Sequence, residues 1–197
     1  MPQRRIQMEY TIRAIETWYR GHLFRSRLEA TWAAFFDLCG WDWEYEPFEL
    51  EGWLPDFVLL GKTRVLVEVK PVFDFPGEVA EKIVRASDHL KNIELLILGC
   101  GPVKTHDCDH CIGWLLDKQE DDGPYSLYGA WSWAGFRKFG NKFDFLHINY
   151  GWNGRIYGGY DGSTESDSPV DDIELIKNLW GQAKARTRYD HKGAAVH

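Results

Sequence analysis

Apolar positions recur along this chain with two periods, and the switches between them mark out its elements. Leu28, Trp32, Phe35, Phe36 and Cys39 stand at helical spacing until Gly40. Ser26 followed three residues later by Glu29 is a capping-box pattern, so a helix of about three and a half turns is predicted from Ser26 to Gly40. The period then drops to two. Trp43 and Tyr45 alternate with Glu44 and Glu46 before Pro47, which reads as a half-buried strand. Residues 53–60 and 64–69 are strand-like runs separated by Gly61, Lys62 and Thr63, and this spacing predicts a hairpin closed by Pro71. Val79, Ile83, Ala86 and Leu90 form a second helical stripe, and the continuous apolar run 93–98 suits a buried strand.

Beyond Gly99 the pattern changes. A Cys/His-rich loop (residues 100–111) leads into aromatic, Gly-punctuated segments at 114–117, 125–133, 143–150 and 155–160, which read as short strands of an inserted β element. Residues 162–168 form a polar linker, after which Ser168, Pro169 and Asp171 supply an N-cap, a first-turn proline and an early acid for a last helix. Its apolar stripe is Val170, Ile173, Ile176, Leu179 and Ala183. The expected organisation is a core over 1–99, a β-rich insertion over 100–163, and a linker and basic C-terminal helix over 164–197 packing on the core.

Composition bounds what such a body does. With 197 residues, 44% of them hydrophobic, the chain suffices for one domain with a real core. Its apolar runs are far too short for a membrane span, and no apolar segment follows Arg4 and Arg5, so a soluble cytoplasmic protein without a targeting peptide or membrane partner is expected. Four cysteines are too few and too uneven for a secreted disulfide scaffold. The net charge of −7 looks unsuited to nucleic acid, but it is unevenly distributed. Residues 1–30 hold six Arg against three Glu, and residues 177–197 hold five Lys or Arg against Asp190, which leaves −14 on the middle. Basic ends suit a phosphate backbone and an acidic centre suits a cation.

The candidate chemistry lies in the hairpin. Glu68 and Lys70 leave one face of their strand while Val67 and Val69 leave the other. With the turn centred near Lys62, Asp56 falls opposite Glu68 with side chains roughly 5 Å apart. Two opposed carboxylates destabilise a sheet unless a cation lies between them, and Mg²⁺ or Mn²⁺ is a hard ion that prefers such oxygens. A metal held by Asp56 and Glu68 would polarise a phosphodiester and activate water. Lys70 would orient or deprotonate that water, or offset the charge of the transition state. Glu29, on the first turn of the preceding helix, is either a helix cap or a further metal ligand, and the two roles are compatible.

Pro55-Asp56, then Glu68-Val69-Lys70, behind a helix bearing Glu29, resembles the PD-(D/E)xK nuclease superfamily. The stretch 19–30 (Tyr19-Arg20-Gly21-His22 through Arg27-Leu28-Glu29-Ala30) and the ending 183–191 are further similar to uncharacterised bacterial and phage members of it. The resemblance covers residues 17–98 well and the rest loosely. It implies an α/β fold with a restriction-endonuclease-like αβββαβ core and a mixed sheet, here with the small β-rich insertion and the C-terminal helix added. It also implies a Mg²⁺-dependent DNA endonuclease, with Glu29, Asp56, Glu68 and Lys70 carried over position by position, in a bacterial or phage setting. Members that have lost activity and serve as binding modules give the alternative, and a homodimer that cuts both strands stays open.

Other residues are candidates for contacts. Arg20, Arg25 and Arg27 flank a helix N-terminus, where phosphate is already favoured, and Lys184, Arg186 and Arg188 form a basic run on the last helix. Cys108-Asp109-His110-Cys111 is one CxxC knuckle, which Cys100 and His106 would complete as a structural Zn²⁺ site, against surface thiols in a reducing cytosol. An HNH-type nuclease reading fails, because the Asp109-His110 pair lies inside the knuckle rather than after it. Trp114, Trp131, Trp133, Tyr150 and Trp152 serve either as core or as a surface for unpaired bases of branched or single-stranded DNA.

Overall fold

Ser26 starts the first helix as its spacing predicts. In the computed structural model of the chain, which describes residues 14–106, 110–116, 131–148, 153–158 and 173–188, helix α1 runs Arg27–Cys39. The Ser26 hydroxyl accepts the Glu29 N–H at its start, and Gly40 ends it in the left-handed region at φ 72°. The apolar stripe is buried from Trp32 to Cys39, with Leu28 half-buried at its start: Trp32, Phe35 and Phe36 are fully inaccessible, each worth about 1.5–3 kcal/mol of transfer free energy.

Before it, β1 (Thr17–Tyr19) and β2 (His22–Phe24) form a small hairpin that the sequence reading did not anticipate. Its turn residues, Arg20 and Gly21, both take positive φ, as a two-residue hairpin turn requires. After α1 come β3 (Trp43–Tyr45), β4 (Phe57–Leu60), β5 (Arg64–Val69), helix α2 (Gly77–Ala86) and β6 (Ile93–Val103). The order from α1 to β6 is therefore helix, three strands, helix, strand. The strand predicted over 53–60 is shorter than expected, because Leu50 and Trp53 exchange both backbone hydrogen bonds across a tight turn and Pro55 has no N–H to offer a ladder.

Strands β7 (Cys111–Leu116), β8 (Trp131–Phe139) and β9 (Lys142–His147) follow, and all seven strands β3 to β9 form one sheet in chain order. Every pairing is antiparallel except β5 with β6, where α2 makes the crossover. The boundary expected at residue 99 thus falls inside β6, and the aromatic strands extend the core sheet instead of forming an insertion beside it. Gly99 reads as a break in sequence but is a packing requirement: a Cβ there would meet the Val72 carbonyl oxygen at 2.6 Å. The segment expected as a strand at 155–160 is bent over its described part, 155–158. It is tied down by the buried Asp144 carboxylate, which accepts the N–H groups of Ile156 and Tyr157 at 2.8 Å each.

One sheet face packs on α1 and on helix α3 (Ile173–Arg186), whose Ile176, Leu179 and Ala183 are buried as the stripe predicts. Trp180 lies 4.5 Å from Trp32, and the Thr31 and Thr187 hydroxyls pair at 2.9 Å between the two helices. The other face packs on α2 through Leu66, Leu95, Ile97, Ala80 and Ile83. The cap expected for α3 at Ser168, Pro169 and Asp171 and the linker at 162–168 lie outside the described residues, as does Val170. No helix among the described residues is long and apolar enough to cross a membrane.

Candidate active site

The register of the β4–β5 hairpin decides the site. Phe57 pairs with Val67 and Leu60 with Arg64, so Asp56, one residue before β4, stands opposite Glu68 as the turn at Lys62 predicts. Both carboxylates are buried, at 3% and 7% exposure. Asp56 accepts the backbone N–H of Val69 at 2.7 Å through Oδ2 and an Arg25 N–H at 2.5 Å through Oδ1. Glu68 accepts the indole N–H of Trp53 at 2.7 Å through Oε2 and pairs with Lys70 Nζ at 2.5 Å through Oε1. Lys70, just past the end of β5, is held by its backbone N–H to Leu98 O and keeps its side chain about a third exposed.

Glu29 enters from the first turn of α1 and is buried. Its backbone N–H takes the Ser26 cap, while its carboxylate accepts the hydroxyls of Ser26 and Tyr45, each at 2.8 Å. The capping role read from sequence is therefore real, and it leaves the carboxylate near Asp56. The Asp56 carboxyl is pushed up from 3.8 to about 7, first by burial and then by the charges of Glu68 and Glu29, against the opposing pull of the Val69 N–H and Lys70. Burial and the Glu29 contact likewise raise the Tyr45 phenol.

Arg25 is where the structure adds most. It was expected on phosphate, but its Nε pairs with Glu46 at 2.8 Å while its other arm holds Asp56. Glu46 takes an unusual positive φ of 44° and donates its N–H to the Asp56 carbonyl, which closes the cluster on the β3 side. Tyr45, Glu46 and Trp53 are the site residues that sequence reasoning missed. Tyr45 and Glu46 were legible as positions of a strand and Trp53 as an apolar one, but nothing local marks their partners. Glu29, Glu46, Asp56 and Glu68 against Arg25 and Lys70 leave two formal negative charges, the number that one divalent cation neutralises. The donor set is all hard oxygen, as Mg²⁺ or Mn²⁺ prefers. With the side chains as they stand, no three His, Cys, Asp or Glu residues among the described ones surround a single metal position, and Arg25, Lys70, Trp53 and Tyr45 are bonded to the carboxylate oxygens.

The remaining candidates separate. Arg20, at the tip of the β1–β2 hairpin, bonds Asp37 at 2.6 Å, and Tyr19 bonds Asp37 at 2.7 Å, with the charge of Arg186 on α3 acting on its phenol. Lys184, Arg186 and Arg188 are exposed along the end of α3, and Arg20 is held by Asp37 rather than by the acidic cluster. Arg27 opens α1, with its Nε buried and without a hydrogen-bond partner among the described residues. Of the expected zinc ligands, Cys100 lies half-buried on β6, Cys111 is fully buried on β7 and His106 is exposed, while Cys108 lies outside the described residues. The described members do not form a metal cluster, and both cysteines belong to strands rather than to the expected loop. Tyr150 and Trp152 also lie outside the described residues. Compared with protein-family models, curated proteins and solved structures, the chain matches none.

Proposed function

We propose that this chain is a metal-dependent DNA endonuclease of the PD-(D/E)xK type, with a restriction-endonuclease-like core. The observation that carries the reading is the buried, opposed pair Asp56 and Glu68, with Lys70 two residues on and Glu29 delivered by the preceding helix. The order helix, three strands, helix, strand from α1 to β6 agrees with that core. A folded chain does not gain stability by crowding buried carboxylates, so their retention suits a cation site.

Asp56, Glu68 and Glu29 would hold the ion, with Arg25 and Lys70 yielding the carboxylate oxygens they now take. Mg²⁺ or Mn²⁺, when bound, supplies the positive charge that polarises the phosphodiester and favours ionisation of water. Once displaced, Arg25 is half-exposed and free to take a phosphate oxygen, which reconciles its present contacts with the role expected from sequence. Lys70 places a compact charge at the scissile group, where it orients the attacking water or offsets the charge that builds on phosphorus. The exposed basic residues Lys184, Arg186 and Arg188 would follow the backbone away from the cut.

The test is cleavage of plasmid, linear, single-stranded and branched DNA, with RNA beside them, in Mg²⁺ or Mn²⁺. Lys70→Ala is expected to lose about 10²–10⁴-fold in rate while the protein stays folded at the assay temperature, although it melts lower because the buried Glu68 loses its partner. Undiminished cleavage by this variant would sink the reading. A second reading has its own observation: Asp56 and Glu68 are already paired with Arg25 and Lys70, so the cluster also suits a catalytically silent nucleic-acid- or partner-binding module. That reading expects salt-sensitive DNA binding and no metal-dependent nicking by the wild-type protein.

A further inference from the structure

The row of side chains that begins at the acidic pair does not stop there. Glu68 pairs in register with Ile97, Ile97 with Trp114, and Trp114 with Trp133. Register partners share a sheet face, so the carboxylate and the two indoles stand on the side that α2 partly covers. The next row repeats the pattern, from Leu66 through Leu95 and Leu116 to Trp131. Helix α2 packs at the β5–β6 end of these rows, and at the β7–β8 end the cover is Phe75, 6.0 Å from Trp114 and 5.6 Å from Trp131. Trp114 lies 5.1 Å from Trp133 and is buried beneath them.

The outer rings of this layer, and the ring of Phe73 in the loop that joins Lys70 to Phe75, are open to solvent. Phe73, three residues beyond Lys70, is 75% exposed and Phe75 is 42% exposed, while Trp131 and Trp133 are half-buried. At about 4.8 Å per strand, Trp114 and Trp133 lie roughly 10 and 14 Å across the sheet from Glu68. That span is about three to four stacked nucleotides at roughly 3.4 Å each.

We infer that Phe73, Phe75, Trp131 and Trp133 form a stacking platform for unpaired nucleobases of the strand whose phosphate enters the acidic site. The proposal rests on the nuclease reading and names its substrate class: single-stranded DNA, or the single-stranded arm of a branched molecule. Two considerations favour this occupant. The platform continues the same face, strand by strand, from the candidate metal ligands. A base within a duplex has its faces covered by its neighbours, whereas an unpaired base offers a free face to an aromatic ring. A second copy of this chain fits less well, since the open parts of four rings fall short of the roughly 800 Å² per partner that a stable dimer buries.

The experiment is fluorescence anisotropy of labelled oligonucleotides with the full chain in EDTA, so that binding is read without cleavage. The probes are a 20-mer single strand, the corresponding duplex, and the same single strand carrying abasic sites. Wild type is expected to prefer the single strand. Phe73→Ala and Phe75→Ala each lower single-strand affinity by about 5- to 150-fold with duplex affinity unchanged, and abasic sites produce a similar loss in wild type. Phe73 is the decisive position, because so exposed a ring can be removed without disturbing the fold. Equal binding of single strand and duplex, no effect of either variant, or conversion of a dimer to a monomer by Phe73→Ala would each overturn the platform. Metal-dependent cleavage that persists through such a result leaves the nuclease reading standing, whereas base-dependent binding without any cleavage removes that reading and keeps the platform.

Discussion

Asp56→Asn should make the metal-free protein more stable above neutral pH, although it removes a buried ion pair. Asp56 ionises at about 7 in the folded chain against 3.8 for an ordinary aspartate, because burial and the charges of Glu68 and Glu29 oppose its ionisation. At about 1.4 kcal/mol per pH unit, keeping it charged costs about 4 kcal/mol once the pH exceeds 7. Because the native-state pKa is raised, the native protein binds more protons than the unfolded chain between about pH 4 and 7. Stability is therefore highest below pH 4 on this account and falls as pH rises to 7. The amide still accepts the Val69 N–H. It forfeits the contact with Arg25, whose half-exposed side chain limits that loss to about 1–2 kcal/mol. The expected net gain is about 2 kcal/mol at pH 8, or roughly 4–8 °C in melting temperature, shrinking to nothing or reversing at pH 5. Thermal melts of wild type and Asp56→Asn in EDTA at pH 5 and 8 measure it. A variant that melts lower than wild type at pH 8, or by the same margin at both pH values, would show that charge crowding at Asp56 is not the governing term.

The same linkage predicts that Mn²⁺ or Mg²⁺ affinity rises between pH 5 and 7, by up to about tenfold per unit, and flattens above 7 as the proton on Asp56 ceases to compete; calorimetry in buffers of different ionisation enthalpy should show proton release below pH 7 and little above it. Trp53→Phe removes the indole N–H from Glu68 and leaves a buried carboxylate oxygen without that donor, which should cost about 1–3 kcal/mol in urea denaturation and weaken metal binding, while Trp53→His retains part of both. Asp144→Ala frees the backbone N–H groups of Ile156 and Tyr157 from a fully buried carboxylate and should cost about 3 kcal/mol or more; hydrogen exchange should then show early loss of protection over 153–158, with the hairpin turn next, since Lys62 and Thr63 donate to the carbonyls of that segment.

Much of the local structure was legible in particular residues. Ser26-x-x-Glu29 marked where α1 begins, and Gly40 marked where it ends. The three residues Gly61, Lys62 and Thr63 sufficed for the register that sets Asp56 against Glu68. The misreadings also have local causes. Gly99 and the aromatic segments after it looked like the start of a separate element, because glycine interrupts periodicity whether it marks a turn or, as here, makes room for the Val72 carbonyl. Residues 155–158 belong to an aromatic, Gly-punctuated segment that reads as a strand but are drawn into a bend by Asp144, 12 and 13 positions from the Ile156 and Tyr157 that it holds.

What the sequence determined by itself is the set of features that backbone geometry enforces over a few residues: caps, periods, the turn of one hairpin, and the shared face of Glu68 and Lys70. Only the tertiary structure decided which groups meet across long separations. It brought Arg25 to Asp56, Tyr45 to Glu29 and Trp53 to Glu68, continued β6 into β7–β9, and aligned Glu68 with Trp114 and Trp133. Those pairings are chosen by the burial of whole faces, a free energy summed over the chain, to which no single window of sequence has access.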